Sequence, residues 1–131
     1  MYHVVVAIDE DADRARRQAR AVTNLPCAAD EVRATLLHVF ADDGGASATE
    51  LGSVERARDA LERAGVELEI TERTGEPAAT ALDIAEDADA DAICVGGRRR
   101  SPAGKAIFGS VSQSIILQAD RPVLVTGGLE S

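Results

Sequence analysis

The sequence contains very few aromatic residues. Tyr2, Phe40 and Phe108 are the only ones, and tryptophan is absent. Proteins that bind single-stranded nucleic acid stack bases on aromatic side chains, and this chain has almost no such side chains to offer. We therefore expect no nucleic-acid partner. The core must consist of Val, Leu, Ile and Ala, which is typical of a buried parallel sheet covered by helices.

Cysteine and long apolar runs are also scarce. Cys27 and Cys94 are far apart and form no CxxC pair, which argues against a disulfide framework or a zinc site. Cys94 lies in an apolar run and is predicted to be a small buried residue. No segment approaches the roughly 18 apolar residues of a membrane span. The N-terminus lacks the basic region of a signal peptide. We therefore expect a cytoplasmic protein with no membrane partner.

The charge balance is strongly acidic. The net charge is −9, from 23 acidic and 14 basic residues, and Lys105 is the only lysine beside 13 arginines. Such a surface repels nucleic acid and anionic membranes. The composition favours adaptation to a salty, halophilic cytoplasm, with a GC-rich genome as the alternative explanation. Molar salt shortens the Debye length to about 3 Å and screens this self-repulsion, so we predict partial unfolding at low salt.

Short strand-like runs alternate with longer helical ones along the chain. Strands are predicted at 4–8, 32–40, 66–70, 91–96 and 121–126, and a polar loop at 41–47. Helices are predicted from Asp11 or Asp13 to about 25, from a Ser53 cap to 64, from Pro77 to about 87, and from Ser110 to about 119. Ser110 and Gln113 have the spacing of a capping box. This order predicts an α/β fold, a single domain over residues 1–131 with a five-stranded parallel sheet covered on both faces.

Ligands of such open sheets bind beyond the carboxyl ends of the strands. Asp9 follows the first predicted strand, and residues 96–110 join the fourth strand to the last helix. Gly96 and Gly97 permit close approach of a ligand to the backbone, and Gly109-Ser110 opens a helix whose N–H groups attract anions. Four cations lie within eight positions of this loop: Arg98, Arg99, Arg100 and Lys105. The pattern favours an anion or phosphate site, and an ordinary loop is the alternative.

No catalytic constellation is visible. His3 and His38 lie on or beside strands with no partner nucleophile, and we expect structural roles for both. The carboxylates of Asp9 and Asp11 could bind a metal together with a nucleotide, but solvated capping carboxylates are the default interpretation. We therefore expect no catalytic residues and no metal site built by side chains alone.

Several segments resemble the universal stress protein family, over essentially the whole chain. They are Val4-Val5-Val6-Ala7-Ile8-Asp9, Leu36-Leu37-His38-Val39, Gly75-Glu76-Pro77-Ala78, Asp91-Ala92-Ile93-Cys94-Val95-Gly96 and Arg121-Pro122-Val123-Leu124-Val125. The family's phosphate motif is Gly-x2-Gly-x9-Gly-[Ser/Thr]. Aligned on Gly109-Ser110, its first glycine is Gly96, but Arg99 stands where the second glycine is usual. Asp9-Glu10-Asp11 likewise departs from the more usual Asp-Gly-Ser.

The resemblance implies an adenine-nucleotide alpha-hydrolase-like fold with strand order 3-2-1-4-5. It also implies an ATP-binding regulatory homodimer in the stress response, with Mg²⁺ accompanying the nucleotide and pairing through Val123, Leu124 and Val125. The nucleotide-binding residues that it implies are Ala7, Ile8, Asp9, Val39, Gly96, Gly97, Arg98, Arg99, Gly109, Ser110, Val111 and Ser112. The alternatives are a homodimeric interaction protein that binds no nucleotide and, third, a slow ATPase.

Overall fold

The computed structural model describes residues 1–41, 47–97 and 108–127, which form five strands and five α-helices. The strands are β1 (Tyr2–Ala7), β2 (Val32–Phe40), β3 (Glu67–Thr74), β4 (Ala92–Gly96) and β5 (Val123–Thr126). The helices are α1 (Ala12–Thr23), α2 (Ala28–Glu31), α3 (Gly52–Arg63), α4 (Pro77–Asp87) and α5 (Ser110–Gln118). A 3-10 turn, Ala48–Glu50, precedes α3. The turn and the four-residue α2 are not predicted by the apolar pattern.

The five strands form one parallel sheet in the order β3-β2-β1-β4-β5. This confirms the expected order. The chain moves outward from β1 to β3 on one side and then crosses back to β4, so the switch point of the sheet lies between β1 and β4. β3 lies at an edge, as its alternation of apolar and acidic residues predicts. No helix among the described residues is both long and apolar enough to cross a membrane.

The sheet buries a different core on each face because successive side chains of a strand point in opposite directions. The α1–α3 core consists of Val4, Val6, Ile8, Ala15, Ala19, Val22, Ala28, Val32, Ala34, Leu36, Val54, Ala57, Leu61, Val66, Ala92 and Cys94. The α4–α5 core consists of Val5, Leu37, Ala78, Ala81, Ala85, Ala90, Ile93, Val95 and Ile115. The predicted burial of Cys94 is confirmed.

Two of the predicted helix starts are confirmed. The Asp11 carboxylate accepts a hydrogen bond from the Arg14 backbone N–H at 3.0 Å and caps α1. Pro77 occupies the first turn of α4, where its missing N–H costs nothing. The end of α3 is also as predicted, because Gly65 adopts a left-handed φ of 75° just after the helix.

The predicted cap of α3 is wrong. The helix begins at Gly52 after Leu51, which makes no side-chain cap bond. Ser53 lies inside the first turn and is buried, and its hydroxyl donates to the carbonyl of Asp9 at 2.6 Å. A tertiary acceptor at the end of β1 therefore replaces the local one that a serine near a helix start would otherwise find.

The predicted capping box of α5 is also wrong. Ser110 is the first residue of the helix, and Gly109 is its N-cap in an extended conformation, with no side-chain cap bond. Glycine is an accepted N-cap residue, but it has no side chain to satisfy the first N–H groups of the helix. Those groups are therefore left for other acceptors.

Candidate functional site

A pocket opens at the switch point, where β1, β2 and β4 end and α4 and α5 begin. Its inner wall is apolar and combines both helices with the strand ends: Leu37, Val39, Ala81, Val95, Val111 and Ile115. Such a wall, with a few polar groups at its opening, is the usual form of a small-molecule site. The pocket lies on the α4–α5 face of the sheet.

The rim of the pocket next to β1 is a small charged network. Asp9 follows β1, and its Oδ1 accepts from the backbone N–H of Asp11 at 2.9 Å. Its other oxygen pairs with Nη1 of Arg14. Nη2 of Arg14 lies 3.4 Å from Oδ2 of Asp11. The Arg14 side chain is only 15% exposed, whereas that of Asp9 is 54% exposed. A largely buried arginine side chain therefore orients an accessible carboxylate.

Asp11 is held in its charged form by the same network. The backbone N–H of Arg14 is the main reason that the pKa of Asp11 lies below its usual value, and the Arg14 guanidinium acts in the same direction. Asp11 therefore stays negative across the physiological range, and it lies beside the only described arginine of the pocket wall.

Gly96 is required by a neighbouring side chain. A Cβ on this residue would overlap Cγ and Cδ of Arg14, which pass directly over it at the end of β4. The sequence alone suggested that the missing Cβ makes room for a ligand. In the structure that space is filled by the aliphatic part of Arg14, so Gly96 is what permits the arginine to reach the rim.

Beneath Arg14, a fully buried glutamine links α1 to the sheet. Nε2 of Gln18 donates to the carbonyl of Ala7 at 2.8 Å and to that of Cys94 at 3.3 Å. Ala7 is the last residue of β1 and Cys94 lies in the middle of β4, and these two strands flank the switch point. Gln18 therefore fixes the first helix against β1 and β4, one turn after Arg14.

The first turn of α5 forms the opposite side of the pocket. Ser112 donates its hydroxyl to the carbonyl of Gly96 at 2.9 Å, which connects this turn to the end of β4. Ser110 is exposed, and both serines line the pocket. This end of the helix also carries the positive end of the helix dipole. The Ser110 hydroxyl and the dipole favour an acceptor-rich ligand, since the single O–H of Ser112 is already donated to Gly96.

The structure brings most of the predicted binding residues to this pocket. Nine of them line it: Ala7, Ile8, Asp9, Val39, Gly96, Gly109, Ser110, Val111 and Ser112. Gly97 is instead buried beside β5, where its N–H donates to the carbonyl of Thr126 at 3.1 Å. Arg98 and Arg99 lie outside the described residues, as do Arg100 and Lys105.

Sequence reasoning missed several residues of the wall: Arg14, Leu37, Pro77, Ala81, Val95 and Ile115. The apolar ones have no sequence signal beyond their place in a strand or helix. Arg14 does have one, because it lies three residues after the helix cap Asp11. His38 also borders the pocket, but its Nδ1 hydrogen-bonds the carbonyl of Ile8 at 2.7 Å, as expected for a structural histidine.

Comparison with known proteins identifies the family. A model of the universal stress protein family matches residues 1–127. The chain belongs to the universal stress protein family. The family resemblance of the sequence motifs is therefore confirmed, together with the adenine-nucleotide alpha-hydrolase-like fold.

Individual universal stress proteins agree with this assignment. One from Mycolicibacterium smegmatis is 38% identical over 74 residues, which are 56% of this chain and 57% of that protein's length. A universal stress protein of known structure from Archaeoglobus fulgidus has 32% sequence identity to this chain and a TM-score of 0.68. The match covers 96% of this chain and 98% of that one. A structure of the Archaeoglobus fulgidus protein in complex with dAMP is 26% identical, with a TM-score of 0.72 and the same coverage.

Proposed function

We propose that this chain is a nucleotide-binding regulatory protein whose pocket holds an adenine nucleotide. The observation that carries the proposal is the pocket at the switch point, apolar inside and rimmed by Asp9, Arg14 and the first turn of α5. The dAMP complex of the Archaeoglobus fulgidus protein supports the choice of ligand. We treat residues 1–131 as one domain with this single role.

The geometry suggests a role for each side of the pocket. The base would pack against the apolar wall near Val39, because a heteroaromatic ring gains most from leaving water there. The accessible oxygens of Asp9 would accept from ribose hydroxyls. The phosphates would lie toward Gly109 and Ser110, at the positive end of α5. Arg98 and Arg99 belong to the proposal on sequence grounds alone.

We propose ATP as the physiological ligand, with Mg²⁺ bound chiefly by its phosphates. Mg²⁺ prefers oxygen ligands and usually retains several waters. Of the carboxylates that border the described pocket wall, that of Asp9 is suitably exposed, but Arg14 already pairs with it. We therefore expect Mg²⁺ to enter with the triphosphate and to have no strong site of its own. Regulation in the stress response, rather than turnover, is the proposed outcome of binding.

Isothermal titration tests the proposal. The protein, in KCl sufficient to keep it folded, is titrated with ATP with and without Mg²⁺ and with dAMP. We expect binding of one nucleotide per chain. Ser110→Ala should weaken it roughly 10- to 100-fold, since one hydrogen bond to a charged group contributes about 1.5–3 kcal/mol. Ser114→Ala, one turn further along α5 and not part of the pocket wall, is the matched control.

Absence of binding heat, and of any nucleotide released on denaturation, would contradict the proposal and favour the interaction protein that binds no nucleotide. Slow ATP hydrolysis is tested in the same samples. Phosphate release that is unchanged by Asp9→Ala would eliminate the ATPase alternative.

We also propose that the protein is a homodimer through β5. In the described part of the chain, β5 pairs with β4 only, and it is a sheet edge. Val125 on this edge is 41% exposed, and Leu117 on the adjoining helix is 75% exposed. An apolar edge strand invites pairing with another copy. Light scattering should give a dimer mass, and Val125→Arg should reduce it to that of a monomer.

Cytoplasmic location and adaptation to salt complete the proposal, and the net charge of −9 with a single lysine supports the adaptation to salt. Molar KCl screens repulsion between acidic side chains. The melting temperature should therefore rise from low to molar KCl. An unchanged melting temperature would contradict the halophilic assignment, without affecting the proposed ligand.

A further inference from the structure

Arg14 is the only arginine or lysine among the described residues of the pocket wall. Its position is fixed along its whole length. The aliphatic part lies over Gly96, and the guanidinium reaches the rim between Asp9 and Asp11. Ser112 is bonded to the same Gly96, so Arg14 stands next to the first turn of α5. Among the described residues, Arg14 is therefore the cation available to an anionic group that enters between β1 and α5.

The guanidinium has more N–H donors than its two carboxylate partners use. It carries five N–H bonds in a planar fork. Nη1 is bonded to Asp9, and Nη2 is 3.4 Å from Asp11. Nε is buried and has no hydrogen-bond partner. A phosphate oxygen could accept from the remaining N–H groups of Nη1 and Nη2, in the bidentate geometry for which arginine is suited.

Asp11 competes for the same cation. Two carboxylates, those of Asp9 and Asp11, surround one guanidinium. These three described groups of the rim therefore carry a net negative charge before any ligand binds. Asp9 borders the pocket and has a proposed ligand contact of its own. Asp11 caps α1 but is not among the lining residues of this pocket, and toward a ligand it contributes only the attraction that keeps Arg14 away from a phosphate.

We propose that Arg14 is the residue that distinguishes a nucleoside phosphate from the uncharged nucleoside, and that Asp11 restrains it. Arg14 donates to the phosphate nearest the ribose, and the phosphate displaces Asp11 from the guanidinium. The inference rests on the proposed function, because it concerns the same pocket. It assigns the phosphate preference to a helix α1 residue, in addition to the loop after β4 and the first turn of α5.

The first test compares dAMP with deoxyadenosine, which share base and sugar and differ only in the phosphate. Arg14→Gln should raise the dissociation constant of dAMP roughly 10- to 100-fold, the equivalent of one charged hydrogen bond. The dissociation constant of deoxyadenosine should change less than about twofold. Arg16→Gln is the control, because Arg16 is exposed on the same helix and its loss removes the same charge.

The second test removes the carboxylate that competes for Arg14. Asp11→Asn keeps a good helix cap but removes the competing charge. It should tighten dAMP binding by roughly two- to fivefold, the usual range for one exposed ion pair. Asp13→Asn, in the same turn and paired with Arg56 at 3.8 Å, should have no such effect. In the Arg14→Gln background, Asp11→Asn should give no gain.

The outcomes separate the two proposals. If the unaltered protein binds neither dAMP nor deoxyadenosine, the proposed function is contradicted. If it binds both, and Arg14→Gln weakens them equally or leaves dAMP unaffected, only the role of Arg14 is overturned. A gain from Asp11→Asn that persists without Arg14 would overturn the competition. Should Arg14→Gln fold poorly, Arg14→Lys retains the charge without the fork and should lose part of the preference for dAMP.

Discussion

Leu36 and Leu37 are neighbours on β2, and both are almost completely buried, yet they belong to two very different cores. Leu36 points into the α1–α3 core, which is the larger of the two among the described residues and is filled by both of its helices. Leu37 points into the α4–α5 core, where the pocket occupies part of the volume. One strand therefore supports a closed packing layer on one face and a binding site on the other.

The difference arises from how the two pairs of helices cover the sheet. α1 and α3 pack against each other along their lengths, with Ala15, Ala19 and Ala57 letting them approach closely. α4 and α5 touch each other much less, and α4 presents the small residues Ala78 and Ala81 near the strand ends. Among the described residues, packing at the switch point is therefore incomplete on the α4–α5 face, whereas the α1–α3 face is closely packed.

The largest difference should appear when each leucine is truncated. Leu36→Ala should lower the free energy of unfolding by about 3–5 kcal/mol, because the α1–α3 core leaves a cavity that cannot collapse. Leu37→Ala should cost less, about 2–3 kcal/mol, since its site already borders a pocket. Urea unfolding of both variants at one KCl concentration measures the two values.

Ligand binding provides the complementary measurement. Leu37→Ala should weaken dAMP binding, whereas Leu36→Ala should leave it nearly unchanged in the folded fraction. If the two substitutions lower the free energy of unfolding equally, or if Leu37→Ala lowers it more, the α4–α5 core is as tightly packed as the α1–α3 core.

The next prediction concerns the point where the two faces meet. Arg14 starts from the α1–α3 side and reaches the pocket by passing over Gly96. Gly96→Ala should destabilise the protein by about 1–3 kcal/mol, because the new methyl group overlaps the arginine side chain. Gly52→Ala is the control, since a Cβ at Gly52 meets nothing within 4 Å.

Adding Arg14→Ala to Gly96→Ala tests the cause of that loss. If Arg14 is what excludes a Cβ, the double variant should be more stable than additivity of the two single variants predicts. If the stability losses of the two single variants simply add, a glycine is required at position 96 by another neighbour or by the backbone conformation.

The fold was predictable because its signals are local and repeated. The alternation of apolar runs is enough for the parallel sheet, and the family motifs add the strand order, which periodicity alone does not contain. Helix starts were less predictable. Ser53 and Ser110 both resemble N-caps, but Ser53 donates instead to the carbonyl of Asp9. A cap depends on which acceptors the tertiary fold supplies, and the sequence does not show them.

The site was predictable where residues follow a strand or open a helix. Asp9, Gly96 and Ser110 are such residues, and all of them line the pocket. Arg14 was not predicted, because it is one of four arginines in α1 and resembles any solvated residue of a surface helix. Only the fold shows that Gly96 lies beneath it. The reason for that glycine was therefore also misassigned, since its partner is 82 positions away.

The smallest predicted effect concerns His3, on the α4–α5 side of β1 but at the opposite end from the pocket. Its Nε2 lies 2.7 Å from Oγ1 of Thr35, and it is buried. Burial, and then the charge of Arg33, hold its pKa below the usual 6.5, although Glu69 and Asp91 act in the opposite direction. The unfolded chain therefore binds this proton more readily than the folded one.

The contribution of His3 to stability is complete above pH 6.5 and is lost as the pH falls from 6.5 to its folded-state pKa. The pKa of Asp11 is also lowered, but it changes the stability only below its usual 3.8 and therefore does not affect the decline caused by His3. The urea midpoint should therefore decline on acidification from pH 7 to pH 5. His3→Gln should flatten this decline, and an equal decline in the variant would assign it to other groups.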